Sequence, residues 1–205
     1  MNTRHVALAI TGASGSIYGI RLAEELLKSG VRLSLLLSRS GGAVLRSECS
    51  IDWEGDETAV HQRMLTYFSV DAGRLSHYAV DNLFAPIASG SSAPDQFVIC
   101  PCSMGSLGRI AAGISGTLIE RTADVMLKER LPFILVPRES PFNEIHLENL
   151  LKLSRMGVRI VPAMPAFYHG PRSLNDLVDF VVGKVLDSMG VEHRLFTRWG
   201  ASGVE

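Results

Sequence analysis

Directly after an apolar run, His5 to Ile10, the chain reads Thr11-Gly12-Ala13-Ser14-Gly15-Ser16. Glycines in such a turn let backbone approach a ligand closely, and the N–H groups and hydroxyls of a helix start suit an anion or a ring. An ordinary glycine-rich turn reads the same way, so the surrounding pattern decides. The spacing is GxxGxxxG rather than GxGxxG, and the next apolar run, Val31 to Leu37, ends in Ser38-Arg39 with no Asp or Glu to hold a ribose diol. NAD is therefore disfavoured. NADP stays open through Arg39, but no Tyr-xxx-Lys pair accompanies it: Leu22, Asp71, Asn82 and Arg172 stand four residues after Tyr18, Tyr67, Tyr78 and Tyr168.

A second stretch, Cys100-Pro101-Cys102-Ser103-Met104-Gly105-Ser106, ends an apolar run and opens a helix with two hydroxyls and a glycine, chemistry that grips a phosphate or simply caps a helix. Two such strand ends favour a phosphorylated ligand. Ala85 to Pro94 is a loop of small residues around Ser89 and Gly90, either a binding segment or a surface crossing. Arg138 and Glu139 follow another apolar run. The guanidinium can fork onto phosphate oxygens, and the carboxylate can trade protons if burial raises its pKa; a structural ion pair is the other reading. Arg121 and Lys128 lie two turns apart on one predicted helix, either facing one anion or merely solvated.

The elements that must hold these residues follow from periodicity. Continuous apolar runs at His5 to Ile10, Val31 to Leu37, Phe97 to Cys100, Phe133 to Val136 and Val158 to Val161 suit strands covered on both faces. Helical spacing is predicted for Ile17 to Leu27, Gly105 to Ala112, Leu118 to Lys128, Asn143 to Met156 and Leu174 to Met189. This βαβ rhythm predicts an α/β three-layer sandwich with a mostly parallel sheet, Rossmann-like or flavodoxin-like, over residues 1–205 as one domain, with a tail or oligomer contact from about residue 190. In such sheets ligands bind beyond the carboxyl ends of the strands, where most of these loops fall.

Charge and cysteine usage narrow the partners. Twenty Lys and Arg against 21 Asp and Glu give a net charge of -1, with no basic run to track a nucleic acid. The apolar start is too short for a signal sequence or a membrane span, which places the expectation in the cytoplasm without membrane contact. Cys49, Cys100 and Cys102 read as reduced structural thiols. Neither an Asp-rich DDxxD motif nor a His/Cys cluster with metal-ligand spacing occurs, so no metal is expected.

Taken in order, TGASGSIYG (11–19), ASGSSAP (88–94), CPCSMGSL (100–107), ERTADVMLKERLPFILVPRESP (120–141) and PAFYHGPRS (165–173) make the chain resemble the UbiX-like flavin prenyltransferase family over nearly its whole length. The resemblance implies FMN bound by Gly12, Ala13, Ser14, Ser38, Ser103, Met104, Gly105, Ser106 and Arg138. It implies a dimethylallyl monophosphate pocket of Ser89, Gly90, Arg121, Lys128, Tyr168 and Lys184, the last where the family leads one to expect Arg. Lysine there keeps the charge and loses the bidentate fork. Implied catalytic residues are Ser14 near flavin N5, Glu139 as proton carrier, Glu48, Lys128 and Tyr168, with Trp199 enclosing the prenyl group or packing a terminal segment.

The implied reaction joins a dimethylallyl group to N5 and C6 of reduced FMN, with phosphate leaving, for use by a UbiD-like decarboxylase in quinone synthesis, inside a homo-oligomer that is a dodecamer in this family. Cationic side chains would neutralise the leaving phosphate. The alternatives are an FMN-dependent cysteine decarboxylase, whose Asn-containing loop is absent from PIASGSSAP (86–94), and a carrier that only binds FMN.

Overall fold

The computed structural model describes residues 3–200. Six parallel strands form one sheet: β1 (His5–Ile10), β2 (Arg32–Leu37), β3 (Leu75–His77), β4 (Gln96–Cys102), β5 (Phe133–Pro137) and β6 (Arg159–Ile160), in the order β3-β2-β1-β4-β5-β6. Helices α1 (Ser16–Lys28), α2 (Arg39–Cys49), α3 (Glu57–Phe68) and α7 (Leu174–Met189) cover one face; α4 (Met104–Ala111), α5 (Leu118–Lys128) and α6 (Glu144–Arg155) cover the other.

The strands read as unbroken apolar runs because both faces are covered. Along β1, Val6, Leu8 and Ile10 join one core with α1 and α7, while Ala7 and Ala9 join a second with α4, α5 and Phe97. Register fixes this division, since side chains alternate faces along a strand. His5 pairs with Arg32 and Ile10 with Leu37, and on the other side Val6 pairs with Gln96 and Ala9 with Ile99. Phe97 stacks on Phe133 of the neighbouring strand, centroids 5.2 Å apart, which ties β4 to β5 within the second core.

The chain order reverses between β1 and β4, each of which sends its following helix away from the other. That is the topological switch point, and the crevice beyond these two carboxyl ends is where such sheets take ligands. The predicted strands and helices appear with small shifts at their ends. Additional are α2, α3, the short edge strand β3, and two single turns of 3-10 helix, Pro86–Ala88 and Gly90–Ser92, inside the small-residue loop. The expected terminal segment is described to Gly200, where it folds back on α7; residues 201–205 and 1–2 lie outside the described part.

Candidate functional site

Three strand ends are fastened together at the switch point. Thr11, the first residue after β1, donates to the Pro101 carbonyl from both its N–H (3.2 Å) and its hydroxyl (2.8 Å), and its Oγ1 accepts from Ser103 N–H at 2.8 Å. A register shift between Ile99 and Cys102 locally breaks the β4–β5 ladder where that carbonyl turns to Thr11. From the end of β5, Arg138 donates backbone N–H to Cys102 O (3.3 Å) and guanidinium Nε to Ser14 O (2.9 Å). Loop 11–16, the start of α4 and Arg138 therefore adjoin in one surface. Arg138 and Glu139 have separate partners and form no ion pair with each other: Glu139 is exposed and accepts from Ser140 N–H at 3.0 Å.

The N-terminus of α1, where a dinucleotide pyrophosphate binds in Rossmann folds, is taken by a carboxylate of the chain itself. Glu48, in the last turn of α2, accepts from Gly15 N–H (2.8 Å) and Ser16 N–H (3.2 Å) through Oε2. Partial burial works to raise its pKa, but hydrogen bonds from the Ser14 hydroxyl and those two N–H groups, with the nearby Arg138 charge, outweigh it and hold the carboxyl below its ordinary value. Gly15 sits at φ 100°, a conformation open to glycine, to present these N–H groups.

Ser38 caps α2, accepting from Gly41 N–H at 2.9 Å, and its hydroxyl lies 3.3 Å from that of Ser40. Gly12 packs under this turn so closely that an added Cβ would come within 2.6 Å of Ser40 Cβ. Ser103 caps α4, accepting from Ser106 N–H at 3.3 Å, while Met104 and Gly105 open the helix with N–H groups that have no partner within it. Ala13 is buried beneath the loop and Ser14 is exposed above it. Exposed hydroxyl, backbone N–H groups and one guanidinium on adjoining strand ends match a flavin mononucleotide: polar donors for a phosphate and ring edge, with a backbone surface for the ring to lie on. Cavities flank this surface, one of about 730 Å³ bordered by Ile17, Arg21, Glu48 and Asn175, and one of about 340 Å³ bordered by Ser38, Trp53 and His77.

Ser89, Gly90, Arg121 and Lys128 gather elsewhere. Arg121 donates Nε to Ala88 O (3.0 Å) and Nη1 to Asp124 (2.8 Å), and Lys128 pairs with Glu129. A Cβ on Gly90 would lie 3.1 Å from Lys128 Nζ, so the small-residue bend and the end of α5 meet. Because α5 runs antiparallel to the strands, Lys128 lies near their amino ends: Pro132, just beyond it, accepts from Phe97 at the start of β4. Arg121 lies only ~10 Å nearer the carboxyl edge. Within one chain the Gly90 and Lys128 end of this group and the switch-point surface lie at opposite ends of the strands, with Arg121 between them.

Tyr168 and Lys184 belong to a third neighbourhood. Tyr168, in the segment leading to α7, meets Phe180 edge-on at 5.7 Å and Trp199 at 5.2 Å. Lys184 stands one turn past Phe180, 3.7 Å from Asp187, which also holds His193 and Arg198. The contacts that sequence reading missed, Glu48 to α1 and Asp187 to the terminal segment, join residues that composition and spacing do not link. Cys100 and Cys102 are buried; burial pushes the Cys102 thiol up to about 12 and raises that of Cys100 as well. Among the described residues no three His, Cys, Asp or Glu side chains cluster to hold a metal, and no helix is long and apolar enough to cross a membrane.

Comparison with known proteins places this geometry. Residues 1–186 match the family model described as Flavoprotein. Flavin prenyltransferase UbiX of Halalkalibacterium halodurans is 51% identical over 193 residues, covering 94% of this chain and 92% of that protein. The crystal structure of AnUbiX (PadA1) in complex with FMN and dimethylallyl pyrophosphate superposes with a TM-score of 0.87 at 36% identity, covering 100% of both chains. A dodecameric FMN-dependent Ubix-like decarboxylase from Escherichia coli superposes with a TM-score of 0.84 at 37% identity, covering 95% of this chain and 98% of that one.

Proposed function

Because the chain belongs to the Flavoprotein family and, within it, to the UbiX flavin prenyltransferases, we propose that it joins the dimethylallyl group of dimethylallyl monophosphate to N5 and C6 of reduced FMN, using the residues described above in stated roles. The observation that carries the flavin half is the fastening of three strand ends at the switch point, Thr11 to Pro101 and Ser103, and Arg138 to Ser14. Gly12, Ala13 and Ser14 offer the ring a surface, and Ser38 and Ser103 to Ser106 with Arg138 offer donors to its edge and phosphate. Reduced FMN supplies the nucleophilic N5 and C6.

The protein's own residues have three tasks. Lys128, Arg121, Lys184 and the Tyr168 hydroxyl neutralise charge as the monophosphate leaves, a role that fixed cationic donors fill best in a site closed to water. Ser14, exposed on the loop whose next two N–H groups bind Glu48, offers its hydroxyl to the flavin, and the exposed Glu139 carries protons between flavin and phosphate. Trp199, edge-on to Tyr168, screens the prenyl group from water.

Gly90 and Lys128 lie at the opposite end of the strands from the flavin surface, so we assign the complete site to a homo-oligomer in which one copy's bend, with Ser89 and Arg121, meets another's switch point. The solved relative is dodecameric, and exposed Ile145, Leu151 and Met156 along α6 give this chain apolar surface for such contacts. One domain spans the chain, and the product serves a UbiD-like decarboxylase. The test is mass spectrometry of the flavin after anaerobic incubation with reduced FMN and dimethylallyl monophosphate, with EDTA present. A prenyl-sized gain is expected; FMN that binds and stays unchanged refutes prenylation. Glu139→Gln retaining the full rate at normal FMN content would remove the proton-transfer role.

A further inference from the structure

Asp187 gathers more positive charge than one carboxylate balances. Phe180, Lys184 and Asp187 follow one another by single turns along α7 and so share a face. The terminal segment folds onto that face. Arg198 donates Nη2 to Asp187 Oδ1 at 2.6 Å and Nη1 to Oδ2 at 3.1 Å, His193 Nε2 lies 3.1 Å from Oδ1, and Lys184 Nζ stands 3.7 Å from Oδ2. Lys184 and Arg198 together exceed the single negative charge by one, and both are about half exposed, at 49% and 57%. The next residue, Trp199, packs edge-on against the Tyr168 ring, centroids 5.2 Å apart. Arg198 thus shares Asp187 with Lys184 and directly precedes the residue packed on Tyr168.

Resting on the prenyl-transfer reading above, we propose that Arg198 is a further substrate-binding residue whose guanidinium, held beside Lys184 by Asp187, joins Lys184 and the Tyr168 hydroxyl on the phosphate of the prenyl donor. A guanidinium carries five N–H donors in a fixed fork. Two are spent on Asp187, leaving three for phosphate oxygens. Lysine at 184 brings charge without a fork. The forked donor comes instead from the terminal segment, and Asp187 is the residue that positions it. His193, its side chain only 1% exposed, buttresses Asp187 from behind.

The experiment uses the full-length protein with FMN bound. Calorimetry measures dimethylallyl monophosphate affinity, fluorescence measures FMN affinity, and steady-state prenylation separates KM from kcat. Arg198→Ala is expected to weaken the prenyl phosphate by about tenfold with a matching rise in KM, and FMN affinity should stay within about twofold. Arg198→Lys should lose about threefold, and adding Lys184→Arg to Arg198→Ala should recover most of the affinity, because the fork returns from the helix side. Unchanged prenyl phosphate affinity in Arg198→Ala overturns the assignment. So does a loss that Lys184→Arg does not relieve, or an equal loss of FMN affinity, which would make the segment a structural brace. A wild-type protein that binds FMN but no prenyl phosphate removes the prenylation reading itself, a failure visible before any variant is made.

Discussion

Replacing Glu48 by Gln removes one negative charge from the start of α1 and leaves an oxygen that can still accept. Glu48 takes N–H bonds from Gly15 and Ser16 at 2.8 and 3.2 Å, and Arg138 lies close enough to favour its charge. A charge at a helix N-terminus contributes about 0.3–1 kcal/mol, and exchanging charge-assisted for neutral hydrogen bonds costs a similar amount again, so the variant should lose ~1–2 kcal/mol. For a domain of this length that lowers Tm by about 3–6 °C. Thermal unfolding followed by circular dichroism, at one fixed protein concentration so that oligomerisation does not intrude, gives the number. The pH series gives the cause. The folded-state pKa of Glu48 lies below its unfolded value, so its contribution is fully present above the unfolded pKa, about 4.3, and is lost as pH falls through the folded one. The gap between wild type and Glu48→Gln should therefore hold from neutrality to about pH 5 and close below the ordinary carboxylate range. A gap absent at pH 7, or undiminished at pH 3, would refute the account of Glu48 as a helix-capping anion.

Arg138→Ala loses the bond to Ser14 O; FMN affinity, measured by flavin fluorescence, should fall about tenfold with the helical spectrum unchanged. Gly12→Ala drives a Cβ into Ser40 and should cost about 1–3 kcal/mol in urea unfolding, most of it recovered by adding Ser40→Gly. Of the three free thiols, Cys100 and Cys102 are buried and Cys49 is partly exposed. A thiol reagent at neutral pH should titrate Cys49 alone in the native protein and all of them after denaturation.

What the sequence makes legible is whatever a strand end announces. The apolar runs of β1, β4 and β5 are unbroken because both faces are buried, and the hydroxyl and glycine residues that follow them mark the switch-point surface before any coordinate is known. Helix α2 escapes notice because Gly41 and Gly42 depress helix propensity, yet Gly41 is needed there: a Cβ would lie 2.5 Å from Ile10 O. In α3 only Val60 and Met64 are buried, too few to draw an apolar stripe. Strand β3 is three residues at the sheet edge. The bonds of Glu48 to Gly15, 33 positions away, and of Arg198 to Asp187 depend on how helices pack, which no local pattern encodes.

The division of chemistry between the two ends of the strands also has a genetic meaning. If one copy provides Arg138 and another Lys128, then Arg138→Ala and Lys128→Ala chains are each impaired alone and are defective in different halves of the same site. Expressed together in one cell and mixing at random, they would restore an intact site at about one junction in four, since each junction draws one half from either parent. Two broken alleles would then support what neither supports alone, whereas two variants in the same half would never do so.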